Sequence, residues 1–491
     1  MTAPETPRRI AFHAAASTAI GGGHIVRSVS LANALAAQGI PCVFFVNEQT
    51  ERAAPLLARS RHQTVTVSGD TRHVLEQARK NAPFDWVVID NYALAAADEK
   101  QWRGIANKIL VIDDLANRGH DCDILLDSAP SRHASDYVGQ LAPATRLLLG
   151  PVYAPLRSEF AHSRPKALFK REMTIRPERL LVSFGLTDPG TITCQAVTKI
   201  AESLPSLAMD VVVGSGTESW RIIHALGRPN ITLHSDPASM SDLMVAADIA
   251  LGAGGSTAWE RVCLGLPSVV QILADNQRNL ADKLAQQGAL SVVRQKNNWP
   301  AVIEALARLC DDQEAWHAMS RRAATICDGR GADRVALEMD PPLSRRGLPV
   351  RLRPATVKDT EQVFHWQSAP GAREFSSNPN PPTHAEHLAW MAKKLDEPRC
   401  VFSIITEGDV PVGIFRLDQR QDGSFMVSIL VADNARNCGV AGAALSAGTR
   451  LMRGADLWAR IDRRNTPSLR AFQNAGFLPQ GEDLYYRASM R

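Results

Sequence analysis

The 491-residue sequence has no C-x-x-C pair among its eight cysteines. Neither a structural zinc site nor a disulfide scaffold is indicated, and reduced thiols are the default. Aromatic residues are scarce, and no apolar run approaches the ~18–20 residues needed to cross a bilayer. The opening residues Met1–Pro7 carry no apolar core of the signal-peptide kind, so a cytoplasmic protein is expected. Charge of one sign is lacking too, with 55 Lys and Arg against 51 Asp and Glu. That balance argues against nucleic acid as a partner. Residues 341–491 hold 20 basic against 15 acidic side chains, an excess that would suit a phosphate-rich small ligand but that ordinary surface charge also explains. What is present is 45% hydrophobic residues, ample for the cores of roughly two to four domains.

Through about residue 335, short apolar runs alternate with longer helical patterns, which predicts β/α units and parallel sheets. Strands are expected at Arg9–Phe12, Cys42–Val46, Trp86–Ile89 and Ile109–Ile112. A second series follows at Leu180–Phe184, Asp210–Val213, Ile249–Leu251 and Ser268–Val270. The basic stretch Ser163–Pro177, with two prolines, reads as the link between two α/β halves. Asp340–Gly347, rich in Pro, Ser and Arg, reads as a linker. Beyond it the texture changes to an antiparallel meander with flanking helices, an α+β domain. The expected boundaries are 1–163, 164–338, a linker at 339–348, and 349–491.

Two loops in the first two halves carry chemistry. Ser17-Thr18-Ala19-Ile20-Gly21-Gly22-Gly23-His24 lies between a strand and a helix, where glycines let a ligand approach the backbone and free N–H groups favour an anion. His24 falls at the carboxyl edge of the sheet, where open α/β sheets bind ligands. Histidine titrates near neutrality, which suits removing a proton from water. A tight glycine turn beside a solvated histidine fits the same residues. In the second half, Gly254, Gly255, Ser256 and Thr257 would offer donors to phosphates, and Glu260 would accept from a ribose diol. Thr257-x-x-Glu260 is also a capping box, which needs no ligand.

Ordered blocks across residues 8–338 resemble the UDP-sugar hydrolases of the pseudaminic acid pathway, which have a GT-B-like fold. They are Ile20-Gly21-x-Gly23-His24-x-x-Arg27, Ile89-Asp90-Asn91-Tyr92, Ile112-Asp113-Asp114-Leu115-Ala116 and Leu149-Gly150-Pro151-x-Tyr153-Ala154-x-Leu156-Arg157. In the second half they are Ser183-Phe184-Gly185-x-x-Asp188-Pro189, Gly252–Pro267, Asn276-Gln277 and Asp328-Gly329-x-Gly331-Ala332. The resemblance implies removal of UDP from UDP-2,4-diacetamido-2,4,6-trideoxy-β-L-altropyranose, with inversion, with no metal expected and with His24 activating the water. It implies substrate contacts from Ser17, Gly21, Gly23, Arg27 and Tyr92 on one half. Gly255, Ser256, Thr257, Glu260, Asn276 and Gln277 would supply them on the other. The family's F-R-x-D-x-S stretch stands here as Phe12-His13-Ala14-Ala15-Ala16-Ser17, and a glycine after Gly185 is replaced by Leu186. Altered sugar specificity, or a nucleotide-sugar-binding scaffold without hydrolysis, therefore stays open. So does a GT-B glycosyltransferase, whose glycine loop can also end in histidine.

At the C-terminal end, Arg436-Asn437-Cys438-Gly439-Val440-Ala441 follows a strand and opens a helix, a pattern in which small residues let N–H groups cradle a pyrophosphate. A close-packed turn needs the same small residues. Asn465-Thr466-Pro467-Ser468-Leu469-Arg470-Ala471-Phe472-Gln473-Asn474-Ala475-Gly476-Phe477 resembles the closing motif of the GNAT superfamily of N-acetyltransferases. The resemblance implies acetyl-CoA as co-substrate, held by Arg436, Gly439, Val440 and Ala441. Its arm would lie between two splayed strands, positioned by Asn465 and Ser468. Phe472 stands where many members have a tyrosine that donates to the thiolate, leaving Tyr485 and Tyr486 as substitutes and Ser428 as a water relay. Together the likenesses imply a bifunctional enzyme that acetylates the 4-amino group of a UDP-linked sugar and then releases UDP, on the way to sugars that decorate flagellin.

Overall fold

The computed structural model describes residues 8–15, 23–53, 55–67, 71–185, 188 and 190–489. The chain divides into two compact units, Met1–Ala332 and Asp333–Arg491.

The first unit contains two parallel sheets. One is built from β1 (Ile10–Ala14), β2 (Cys42–Asn47), β3 (Gln63–Val67), β4 (Phe84–Asp90), β5 (Ala106–Ile112), β6 (Ile124–Asp127) and β7 (Arg146–Leu149), in the order β3-β2-β1-β4-β5-β6-β7. Its inner strands are buried on both faces, which is why they read as continuous apolar runs. Phe12 stacks on Phe44 with centroids 4.7 Å apart on one face. On the other, Ala11, Val43, Val87 and Ile109 pack with Trp102. The second sheet holds β8 (Arg179–Ser183), β9 (Ala208–Val212), β10 (Ile231–His234), β11 (Ile249–Ala253), β12 (Ser268–Gln271) and β13 (Ser291–Val293), in the order β10-β9-β8-β11-β12-β13. In each sheet the strand order reverses once, between β1 and β4 and between β8 and β11. A crevice opens past the carboxyl ends of strands at such a switch point.

The stretch expected to be a plain link is instead a helix, Ser158–Met173, with Pro165 inside it. Two of its basic residues, Arg164 and Arg171, are buried rather than solvated. Arg164 donates to the carbonyls of Ala324 at 2.6 Å, Cys327 at 3.1 Å and Cys263. Arg171 donates to Ala247 at 2.6 Å and Met244 at 2.7 Å. These carbonyls lie at the C-terminal ends of the helices Met240–Ala246, Thr257–Cys263 and Gln313–Ile326. The last turn of a helix leaves C=O groups without intrahelical partners and gathers partial negative charge, so a buried guanidinium finds donors' work and charge compensation together. Burial pulls Arg171 down to about 10, which leaves it charged at neutral pH.

The second unit is one mixed sheet of β14 (Val350–Pro354), β15 (Cys400–Glu407), β16 (Val410–Gln419), β17 (Phe425–Val431), β18 (Leu457–Arg460), β19 (Leu478–Pro479) and β20 (Leu484–Arg487). The order is β14-β15-β16-β17-β18-β20-β19. The meander is antiparallel from β14 to β17, as expected, but β18 joins β17 in parallel. That pairing requires a crossover, supplied by the helix Val440–Leu451. Parallel partners end at Val427↔Ala459, so the rest of β17 runs on without β18 beside it. Asp340–Gly347 packs on this unit: the Arg345 N–H donates to Cys438 O at 2.8 Å, and Leu343 bridges Pro349. Among the described residues no helix is long and apolar enough to cross a membrane.

Arg164→Met keeps the apolar stem but strands three buried carbonyls. It should destabilise the first unit by roughly 2–3 kcal/mol, read from urea unfolding. A change within about 0.5 kcal/mol, the range of ordinary surface substitutions, would show that the guanidinium is dispensable.

Candidate functional site

The switch point of the first sheet gathers a connected set of polar side chains. The helix Gly23–Ala36 starts there and puts His24 and Arg27, three residues apart, on one face. Asp90, the last residue of β4, is fully buried opposite them. The His24 ring pairs with it through Nδ1 and Oδ1 at 2.5 Å. Arg27 grips the same carboxylate with Nε to Oδ2 at 2.7 Å and Nη2 to Oδ1 at 2.6 Å. Its Nη1 donates to Asp114 Oδ2 at 2.9 Å, while the Tyr92 hydroxyl donates to Asp114 Oδ1 at 2.5 Å. Tyr92 meets the His24 ring edge-on at 4.4 Å.

The electrostatics follow from this packing. Burial pushes the Asp90 carboxyl up, but the Arg27 charge and the His24 ring outweigh it and hold the group well below the usual carboxylate range. Burial and the neighbouring Asp114 together push the Tyr92 hydroxyl up, so it stays a donor. An ionised Asp90 accepts a hydrogen bond from His24 Nδ1–H, which leaves Nε2 as the lone-pair nitrogen. The set can therefore take a proton from a bound water. Asp90 and Asp114 were not among the expected site residues, although an acidic residue closing an apolar strand run is a readable signal. Ser17 and Gly21 lie outside the described residues, as does Leu186. His13 faces inward: its Nδ1 lies 3.3 Å from Phe45 O, its ring packs against Trp102, and burial lowers its pKa.

The second crevice is built around the loop between β11 and the helix Thr257–Cys263. A Cβ at Gly252 would lie 2.3 Å from the Ser183 carbonyl, so only glycine lets β8 and β11 close there. Gly255 faces open space, and a Cβ at Gly23 would stand 3.9 Å from Ser256 Oγ. Gly23, at the start of its helix, thus faces Ser256 across the cleft between the halves. Gln277 does not reach outward through its carbonyl: Oε1 accepts from Leu273 N at 3.1 Å and Gly254 N at 3.3 Å, bracing the loop. Asn276 sits in the short turn Asp275–Gln277 beside it.

The capping box expected at Thr257 and Glu260 does not form. Ser256 is the helix cap and makes no side-chain cap bond, and Thr257 is already the first helical residue. Glu260 is instead buried against Arg157, whose Nη2 donates to Oε1 at 2.8 Å. Its Oε2 is buried with no hydrogen-bond partner among the described residues. Burial raises the Glu260 carboxyl above its ordinary value, against the pull of Arg157.

In the second unit, Asn437 and Gly439 both have positive φ, at 61° and 81°, and Gly439 caps the helix Val440–Leu451. Val440 and Ala441 form its first turn, and Arg436 pairs with Asp433 at 2.9 Å. Asn465 caps the helix Thr466–Asn474 by accepting from Ser468 N at 3.2 Å. Ser428 lies one residue past the last β17–β18 pair. Phe472 is buried against Phe477, and the Tyr486 ring packs against Trp458.

These features define the class: two Rossmann-like halves of a GT-B-like fold, and a GNAT acetyltransferase domain. Residues 350–478 match the family model described as acetyltransferase (GNAT) domain, which implies acetyl-CoA as co-substrate. The chain is similar to an uncharacterized protein of Methanocaldococcus jannaschii, 24% identical over 282 residues, covering 56% of this chain and 57% of that one. It is also similar to the UDP-2,4-diacetamido-2,4,6-trideoxy-beta-L-altropyranose hydrolase of Campylobacter jejuni, 24% identical over 286 residues, covering 57% of this chain and 97% of the hydrolase. The matched region thus spans little more than half of the archaeal protein and nearly all of the bacterial one. The crystal structure of Acinetobacter baumannii MurG superposes with a TM-score of 0.52 at 16% identity, over 68% of this chain and 99% of that one. That likeness is one of fold.

At Gly439 a Cβ would stand 2.8 Å from Arg345 Cγ and 3.0 Å from its main-chain nitrogen, at a φ that L-residues rarely adopt. Gly439→Ala should weaken coenzyme A binding about tenfold or more, measured by calorimetry. Unchanged affinity would show that this turn does not touch the cofactor.

Proposed function

We propose that the first unit hydrolyses a UDP-linked diacetamido-trideoxy-altrose and that the GNAT domain acetylates its 4-amino precursor. The carrying observation is the buried Asp90–His24 pair at a switch point whose crevice faces a second glycine loop. The similarity to the Campylobacter hydrolase supports the choice of substrate.

In this reading the uridine diphosphate rests on the second half. The backbone of Gly255, Ser256 and Thr257 meets the phosphates, and Glu260 turns its unpaired oxygen to the ribose. Water lies against His24 Nε2, on the face of the sugar away from the phosphate. The water oxygen attacks the anomeric carbon, its proton passes to Nε2, and the C1–O bond breaks with its electron pair leaving on UDP. Attack opposite the leaving group inverts the anomeric centre. Asp90 fixes the ring and stabilises the imidazolium, while Arg27 and Tyr92 keep the carboxylates from competing for water. In the GNAT domain the neutral sugar amine attacks the thioester carbonyl, the C–S bond breaks with its electron pair leaving on the coenzyme A sulfur, and the proton lost from the amine ends on that thiolate. Acetyl-CoA would lie along β17 past Val427, near Ser428. An ordering follows from family likeness: acetylation first, UDP release second.

His24→Ala should cut UDP release by about 10²–10⁴-fold while UDP still binds, since the nucleotide contacts lie on the other half. Unchanged turnover would reject His24 as the base. Asp90→Asn should lower kcat about tenfold to a hundredfold with little change in UDP affinity, because it loses the partner that orients the ring.

The combined reading is tested by incubating the full chain with the UDP-linked 4-amino sugar, with and without acetyl-CoA, and following mass. A gain of one acetyl group followed by UDP release supports it. Acetylation with no UDP release points to a binding scaffold. UDP release without acetyl-CoA overturns the order.

A further inference from the structure

Glu260 is held by a residue that no local motif predicts. Arg157 lies 103 positions earlier, on the segment that carries the chain from β7 of the first half into the helix Ser158–Met173. Its guanidinium stands over the Phe160 ring at 5.0 Å, and it reaches Glu159 Oε1 at 3.0 Å and Glu260 Oε1 at 2.8 Å. The crossover around it is rigid, because Ala154, Leu156 and Phe160 are buried in one core with Ala258, Trp259 and Val262. Glu260 is therefore clamped from both sides: its backbone by the helix, and one carboxylate oxygen by Arg157.

The other oxygen is the informative atom. A buried carboxylate oxygen without a partner is costly and calls for a donor. An arginine that takes one oxygen in an end-on bond favours the ionised form against burial and fixes where the second oxygen lies. We infer that Arg157 is a positioning residue for nucleotide recognition: it orients Glu260 so that the free oxygen receives the vicinal hydroxyls of the ribose. This rests on the nucleotide site proposed above, and it adds the residue from the crossover that sets its ribose selectivity.

The experiment uses the full chain and measures binding of UDP and of 2′,3′-dideoxy-UDP by calorimetry. The wild type should prefer UDP. Arg157→Gln should weaken UDP about tenfold to a hundredfold, as expected for loss of a charge-assisted hydrogen bond, and bring the two ligands to nearly equal affinity. In turnover the same variant should raise KM by a similar factor and leave kcat within about twofold, since the chemistry lies on the other half. Its UDP affinity should also begin to fall at a higher pH on acidification than in the wild type, because the carboxylate has lost its counter-charge. Arg157→Lys, which restores the charge with a shorter reach, should recover part of the selectivity; should the glutamine variant fail to fold, the lysine variant carries the test through its partial loss. A wild type that does not distinguish the two ligands overturns the ribose assignment, and the proposal with it. Wild-type selectivity that survives undiminished in a folded Arg157 variant overturns the role of Arg157 alone.

Discussion

One buried carboxylate organises the first half of the site. Asp90 is fully buried at the end of a parallel strand, and it is kept ionised by Arg27 across both of its oxygens. Removing a charge from water is expensive, and only close pairing with good geometry offsets that cost. The pairing is available here because β1 and β4 are neighbours: the helix that follows β1 delivers Arg27 and His24, and β4 delivers Asp90. Everything proposed for His24 depends on this. Its tautomer is set by which nitrogen faces the carboxylate, and Asp114 and Tyr92 extend the same restraint one layer outward. The strand order thus does chemical work before any ligand arrives.

The second half solves a similar problem with the opposite sign. Arg164, Arg171 and Arg261 are buried cations, and most of their recorded partners are main-chain carbonyls rather than acids. Carbonyls at helix C-termini carry partial negative charge and otherwise lack partners, so a guanidinium satisfies several at once. Carbonyls do not titrate, and Arg171 and Arg261, pulled down by burial to about 10, still carry their charge at neutral pH, so these contacts hold there. Arg157 departs from the pattern by using its charge on Glu260, a carboxylate with an oxygen to spare. On the reading proposed above, that difference separates an arginine that holds a fold from one that prepares a site.

Legibility in the sequence followed burial. The inner strands β1, β2, β4 and β5, and β8, β9, β11 and β12, are apolar runs and were readable as such. The strands that were not read, β3, β7, β10 and β13, are the four edges of the two parallel sheets. Edge strands are short and half exposed, so their apolar signal is weak. The inner strand β6 also lies outside the expected set. The helix Ser158–Met173 was masked by Pro165 and its basic residues, which spacing alone cannot distinguish from a solvated link. At the site, a histidine beside glycines is visible locally. The role of Asp90 is not, because it lies 66 residues away and needs the strand order to meet His24. Thr257 and Glu260 mislead for the same reason: a local capping pattern lost to a tertiary ion pair.

The proposed order of the two reactions also has a physical basis. A small, mostly uncharged sugar gives an enzyme few handles, whereas a uridine diphosphate supplies an anion, a diol and a planar base. Hydrolysis discards that handle, so a step that recognises the sugar through its nucleotide has to precede it. An acetyltransferase domain acting on the nucleotide-linked amine meets that requirement, and so does a hydrolase selective for the acetylated form. Selectivity of this kind is steep where a site donates to a polar substituent, because the unmodified substrate leaves a buried donor unpaired, and a charged ammonium brings an added desolvation cost. If the two reactions run in the proposed order, joining the domains on one chain would keep the acetylated intermediate at high local concentration near the step that consumes it, without any contact between the domains being required.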